Sequence, residues 1–109
     1  MTDKIKTIEE LAAGRNVELK IYTIKPGGWT NFFYYWRKIV KLRRAAGFKV
    51  EFAVADIPGN RFVWGVSTDG NFNSQNTDYL TSEDRIAANV ISDYVAYSEF
   101  PKVVYIPVE

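Results

Sequence analysis

Apolar and polar side chains alternate along the first extended segment of the chain, residues 16–24 (NVELKIYTI). A period of two residues places successive side chains on opposite faces of a β-strand. The pattern therefore predicts a strand with one buried face. We expect the apolar odd-numbered residues, such as Leu19, to form that buried face and the even-numbered residues, including Lys20, to form a polar face.

Two later segments, residues 48–57 and 61–68, are also predicted to be strands because they are rich in Val and aromatic residues. The turn-forming residues 58–60 (PGN) separate them, so we expect a β-hairpin. In the segment 48–57, the apolar residues at even positions are predicted to share one face; they are Phe48, Val50, Phe52 and Val54. A last strand is predicted over residues 102–107, after the helix-breaking Pro101.

A long helix is predicted over residues 30–46, where large apolar side chains recur at spacings of three and four. Thr30 or Asn31 is expected to cap its N-terminus, and Gly47 is expected to end it. A short helix is predicted over residues 4–13, before the first strand.

A second long helix is predicted over residues 82–98. Thr81 followed by Asp84 resembles a capping box at its start, with Asp in place of the usual Glu. The segment before it, residues 69–79, is polar and rich in Asn, Ser and Gln. We expect this segment to be an exposed loop, longer than most connections.

After the first helix, the predicted order is strand, helix, strand, strand, helix, strand. This is the order of the split βαβ, ferredoxin-like two-layer sandwich, which belongs to the α+β class. Right-handed crossovers would place the first and third strands centrally and both long helices on one sheet face. The other face would be free or covered by the N-terminal helix. A different α+β sandwich with the same order stays open, and we expect residues 1–109 to form a single domain.

The chain of 109 residues contains no histidine and no cysteine. The commonest general base, the thiolate nucleophile and the usual ligands of zinc, haem iron and iron–sulfur clusters are therefore missing. We expect no metal site, no cofactor and no catalytic residues, and hence a protein that is not an enzyme. The net charge of +1 gives no overall field for nucleic acid. The N-terminal residues lack the apolar stretch of a signal peptide, which favours a cytoplasmic location.

Six aromatic residues fall within the eight residues 29–36 (WTNFFYYW). One helix face cannot hold all six, so some of them are expected to lie outward and to form a hydrophobic contact surface. Two aromatic residues of the 69–79 loop are candidate anchors, and three basic residues of the first long helix are expected on the rim. The candidate partner-binding residues are Trp29, Tyr34, Tyr35, Arg37, Lys41, Arg44, Phe72 and Tyr79.

These features favour a non-catalytic binding module that recognises another protein, and an acidic protein would suit its basic residues. A virus- or mobile-element-encoded inhibitor, an immunity protein or a small adaptor would fit. The alternative is a nucleic-acid or nucleotide-binding domain that uses the basic helix 34–49. A third interpretation is structural: the basic helix pairs with the acidic residues of the segment 69–99.

Overall fold

A five-stranded antiparallel sheet forms one layer of the protein. The computed structural model describes residues 7–12 and 14–106. For residues 11 and 12 it describes the backbone alone. The strands are β1 (Asn16–Ile24), β2 (Lys49–Asp56), β3 (Arg61–Ser67), β4 (Val95–Glu99) and β5 (Lys102–Val104). Their order is β2-β3-β1-β4, and β5 also pairs with β1. The first and third strands are central, as the ferredoxin-like order predicts.

A short helix, α1 (Ile8–Ala12), precedes β1. The helices that follow β1 lie on one face of the sheet; they are α2 (Trp29–Ala45), α3 (Phe72–Leu80), α4 (Glu83–Ala87) and a 3₁₀-helix (Ala88–Tyr94). Residues of α2, α3 and the 3₁₀-helix share one core with the inner face of β1 and β3. The predicted α+β two-layer sandwich is therefore confirmed. Within the described residues, no helix is long and apolar enough to span a membrane.

The segment 69–79, predicted as a loop, is mostly helix α3, so that prediction was wrong. The Asn71 side chain accepts a hydrogen bond from the Ser74 N–H at 3.0 Å and caps the helix. At α4 the cap is Ser82, which accepts from the Arg85 N–H at 3.3 Å, and not Thr81. Side-chain caps satisfy N–H groups that a helix terminus leaves free, which lets such polar segments start helices.

The helix predicted over 82–98 ends at Tyr94, and the residues after it form β4. The Lys25 N–H donates to the Tyr94 carbonyl at 2.9 Å, which fixes this end next to β1. Strands β4 and β5 pair with the two halves of β1, and the Leu19 N–H donates to the Pro101 carbonyl between them. The last strand, β5, ends at Val104 and is therefore shorter than predicted, whereas β4 is an additional strand before residues 100–101. Of the predicted 102–107, residue 107 lies outside the described residues, as do 4–6 and 13 of the predicted first helix.

Helix α2 begins at Trp29, directly after Gly28, without a side-chain cap. A Cβ at Gly28 would lie 3.0 Å from the Lys25 carbonyl and 3.3 Å from the Tyr94 carbonyl, so the close approach of these segments favours glycine there. The expected caps Thr30 and Asn31 instead lie within the helix. Gly47 follows the helix with φ of +91°, as its predicted role at the C-terminus requires.

The inner face of β1 carries its even-numbered residues, which reverses the predicted sidedness. Lys20 lies opposite Trp64, and Tyr22 lies opposite Phe62, on the face that packs against the helices. Residues directly opposite one another in an antiparallel pair share a face. The apolar odd-numbered residues of β1 therefore lie on the outer face, which no helix described after β1 covers.

A β-bulge in β2 separates two residues that were predicted to share a face. The register against β3 shifts between Val50 and Phe52, so that Val50 pairs with Val66 and Phe52 pairs with Gly65. One extra residue in a strand exchanges the faces of all residues that follow it. Phe52 and Val54 therefore point outward, and Val54 is 58% exposed.

Candidate ligand pocket between the sheet and the helices

A cavity of about 220 Å³ lies between the inner sheet face and the helices. Its walls come from β1 and β3, from α2, α3 and α4, and from the residue between β4 and β5. The lining residues are Glu18, Lys20, Tyr22, Ile39, Arg43, Trp64, Asn76, Leu80, Arg85 and Phe100. The cavity holds about seven water volumes, so a ligand in it would be small.

Lys20 is the most unusual of these residues because it is a lysine that is only 5% exposed. Its Nζ donates a hydrogen bond to Oε1 of Glu18 at 2.5 Å. The same Nζ lies 4.9 Å from the ring centroid of Phe100 and 5.9 Å from that of Trp64. Burial lowers the pKa of Lys20 to about 8, with a further contribution from the charge of Arg43, although Glu18 opposes the shift. At neutral pH a fraction of this amine is therefore uncharged.

Arg43 of α2 reaches the cavity from the opposite wall and is 3% exposed. Its Nη1 donates to Oδ1 of Asn76 at 2.7 Å, and its guanidinium lies 4.0 Å from the ring centroid of Tyr79. Its Nε has no hydrogen-bond partner among the described residues. Burial lowers the pKa of Arg43, yet arginine stays charged in proteins. A buried donor without a partner costs stability, which a ligand would recover by accepting from it.

Arg85 of α4 supplies the third cation of the cavity. Its buried Nε also lacks a hydrogen-bond partner in the described part of the chain. The lining thus contains three basic side chains and a single carboxylate, that of Glu18. This carboxylate is already hydrogen-bonded to Lys20. An excess of buried positive charge with free donors attracts an anion, above all a carboxylate that can accept two parallel N–H groups.

The remaining lining combines an apolar wall with one further hydroxyl. Ile39, Leu80, Trp64 and Phe100 provide aliphatic and aromatic surface. Burial raises the pKa of Tyr22, so that its hydroxyl keeps its proton in the physiological range. A few polar groups among apolar walls are typical of small-molecule sites, in which the polar groups fix the orientation of the ligand.

Other depressions on the surface lack these properties. One depression, of about 630 Å³, lies at the end of the sheet near Arg15, Asp69 and Lys102 and is lined largely by exposed side chains. No group of three or more acidic, histidine or cysteine side chains in the described residues could hold a metal ion.

The structure does not bring the aromatic residues predicted to contact a partner together on the surface. Tyr79 is 4% exposed and packs against Phe48, so the expectation that it is a surface anchor was wrong. Trp29, Tyr35 and Phe72 are half-buried against the core. Tyr34 alone among the five is well exposed, at 54%. The core therefore accounts for most of the aromatic residues.

The basic residues Arg37, Lys41 and Arg44 lie exposed on α2, as expected. The Lys38 Nζ beside them lies 4.4 Å from the ring centroid of Tyr34. Among the described residues, ion pairs join Arg15 to Glu51, Lys20 to Glu18 and Lys49 to Asp69. The pair of Lys49 and Asp69 joins the predicted basic stretch 34–49 to the acidic segment 69–99, whereas no ion pair among them joins α2 itself to that segment. The interpretation of internal charge pairing is therefore supported at Lys49 alone. Whether these residues contact a partner stays a prediction.

The residues of the cavity were not selected from the sequence. Lys20 was predicted on the polar face of β1, and Arg43 and Arg85 were not among the candidate residues. One signal was available: Lys20 stands between Leu19 and Ile21 in a strand predicted to be central, where both faces of the sheet can be covered.

No protein-family model matches the chain, and no curated protein matches its sequence. Solved structures share its fold. A NIPSNAP domain protein from Burkholderia xenovorans is 16% identical with a TM-score of 0.72, covering 84% of this chain and 94% of that one. A NIPSNAP family protein from Agrobacterium tumefaciens is 16% identical with a TM-score of 0.73, covering 82% and 90%. A structure named antibiotic biosynthesis monooxygenase is 12% identical with a TM-score of 0.68, covering 84% and 99%.

These likenesses show the fold alone. They agree with the two-layer, ferredoxin-like architecture described above. Since proteins of this fold include some named as enzymes, the fold does not support the prediction that the chain lacks catalytic activity.

Proposed function

We propose that the protein binds a small organic anion, a carboxylate, in the cavity between its sheet and its helices. The observation that carries this proposal is the convergence of Lys20, Arg43 and Arg85 on one cavity that contains a single carboxylate. Charged groups at the protein surface are stabilised by water. The charged groups of this cavity have little contact with water, so an anion adds strong, charge-assisted hydrogen bonds to them.

The orientation of the ligand follows from the lining. The carboxylate accepts from the free Nε–H groups of Arg43 and Arg85. The remainder of the ligand packs on the apolar wall near Trp64 and Phe100. Structures with this fold include one named antibiotic biosynthesis monooxygenase, a name that refers to the chemistry of small organic molecules. A pocket for a small organic ligand is consistent with that fold.

Calorimetric titration with benzoate tests the proposal, with benzamide as the matched neutral ligand. We expect benzoate to bind and benzamide to bind at least about tenfold more weakly, because a hydrogen bond to a charged group contributes about 1.5–3 kcal/mol. Arg85→Gln should weaken benzoate binding by a similar factor. The control Arg44→Gln changes an exposed arginine of α2 and should leave it unchanged. Equal binding of both ligands, or no binding of benzoate and other small carboxylates, would refute the proposal.

A second candidate function is recognition of another protein, which the sequence favoured, but through the outer face of the sheet. Phe52, Val54 and Tyr97 are exposed there, and apolar surface of this kind is typical of protein contacts. Light scattering and cross-linking of Val54→Asp and wild type test it for the case in which the other protein is a second copy of this chain. Ile86→Asp is the control, since Ile86 is as exposed as Val54 but lies on α4. If Val54→Asp and Ile86→Asp both associate as the wild type does, the outer sheet face is not the contact surface.

A further inference from the structure

Lys20 has a property that anion binding does not require. An arginine or a surface-directed lysine would bind a carboxylate without the cost of burying a flexible amine against aromatic rings. Lys20 instead lies inside the cavity, next to a carboxylate at 2.5 Å and beneath the rings of Phe100 and Trp64. A desolvated lysine beside other cationic groups is the arrangement in which the amine becomes a nucleophile.

We infer that Lys20 forms an imine with ligands that carry an aldehyde or ketone next to their carboxylate, that is, with 2-oxo acids. The inference rests on the proposed function, because Arg43 and Arg85 must hold the carboxylate. Lys20 lines the same cavity of only about 220 Å³ as the two arginines, so a carbonyl group next to a carboxylate bound there would be confined near Nζ.

The step balances with the groups of the pocket. Glu18 accepts a proton from the ammonium of Lys20, and the free electron pair of Nζ attacks the carbonyl carbon. The carbonyl π electrons move to oxygen, and this oxygen takes a proton from the newly bonded Nζ to become the hydroxyl of a neutral carbinolamine. Glu18 then returns its proton to this hydroxyl, water leaves, and the C=N bond forms. No oxidant, reductant or cofactor is consumed, and the carboxylate of Glu18 is regenerated when it gives its proton to the departing water, so that it lies beside the iminium as its counter-charge.

The adjacent carboxylate is suited to this role by its position. The Glu18 carboxylate contacts Lys20 directly, and among the described residues it is the only acidic group lining the cavity. Burial also favours the neutral amine, since it lowers the pKa of Lys20 to about 8. Other lysines of the described chain, such as Lys38 and Lys41, are exposed and lack such an environment.

Reductive trapping with pyruvate and borohydride tests the inference on the wild-type protein. Borohydride reduces an imine to a stable secondary amine, which peptide mass spectrometry assigns to a residue. We expect the adduct on Lys20 before any other lysine, and lactate, which has a hydroxyl in place of the ketone, should compete with its formation. Lys20→Arg should abolish this adduct, and Glu18→Gln should slow its formation while lactate binding persists.

The possible outcomes separate the two proposals. If lactate or benzoate binds in the cavity but pyruvate leaves no adduct on Lys20, the imine inference is wrong and the anion pocket stands. Adducts spread over exposed lysines as often as on Lys20 would overturn the inference in the same way. If none of the three carboxylates binds, the proposed function fails and the inference fails with it. The wild-type map answers the question even where a Lys20 variant does not fold.

Discussion

Raising the pH should stabilise this protein through Lys20, against the usual behaviour of a lysine in an ion pair. The pKa of Lys20 is lowered from 10.5 to about 8 in the folded state. Between these two values the unfolded chain binds more protons than the folded protein. Stability therefore rises with pH over that window, and below about pH 8 the folded state carries the full cost of the buried charge.

The size of the effect follows from the same two values. A difference of about 2.5 pKa units corresponds to about 3 kcal/mol when the whole window is crossed. From about pH 7 to about pH 9.5 the gain is about 2 kcal/mol, because the unfolded amine is still mostly protonated at the upper end. The measurement stays below pH 10 since burial raises the pKa values of Tyr22 and Tyr79, whose ionisation at higher pH would lower stability.

Urea unfolding followed by tryptophan fluorescence at a series of pH values measures this effect. The matched control is the double variant Lys20→Met and Glu18→Gln, which removes the amine without leaving an unpaired carboxylate. We expect the rise with pH in the wild type and its absence in the double variant. A free energy of unfolding that stays flat over this window, or the same rise in both proteins, would refute the burial of a titrating amine at position 20.

Three further predictions concern the scaffold and are measured by urea unfolding. Phe32→Ala should lower the free energy of unfolding by about 3–5 kcal/mol because Phe32 is fully buried. Tyr34→Ala, on the exposed side of the same helix, should lower it by under about 1 kcal/mol. Equal losses in the two variants would contradict the orientation of α2. Gly47→Ala should cost about 1–2 kcal/mol because φ is +91° there, and a neutral result would place the helix end elsewhere. Asn71→Ala should cost about 1 kcal/mol by removing the cap of α3, unlike Asn73→Ala, which keeps the cap.

The strands and the first long helix could be predicted because their patterns are local. The bounds of β1 agree with the predicted ones, and those of β2, β3 and α2 differ by at most one residue at each end. Strand β4 was missed because Tyr94 and Tyr97 stand at helical spacing, although Tyr94 stacks on Tyr35 in the core and Tyr97 lies on the outer sheet face. A spacing of three residues between two tyrosines fits a helix and also fits a helix end followed by a strand. Only the pairing of residues 95–99 with the distant β1 decides between these two structures.

The candidate pocket could not be predicted from local patterns. Its four charged groups lie at positions 18, 20, 43 and 85, on three different elements. The direction of the Lys20 side chain depends on which face of β1 the helices cover, and apolar residues are present on both faces. A two-residue alternation shows that the faces differ, but a polar face can still be the buried one where its charges pair inside.

The indole N–H resonances of the three tryptophans test the central claim most directly. Trp64 lines the cavity, whereas Trp29 lies at the start of α2, where its Nε1 donates to Asn60 at 3.2 Å. Titrating ¹⁵N-labelled protein with benzoate should shift the Trp64 signal in a saturable way and leave the Trp29 signal in place, with no such response to benzamide. Unchanged indole signals at saturating benzoate, or equal shifts at Trp29 and Trp64, would contradict a carboxylate site between the sheet and the helices.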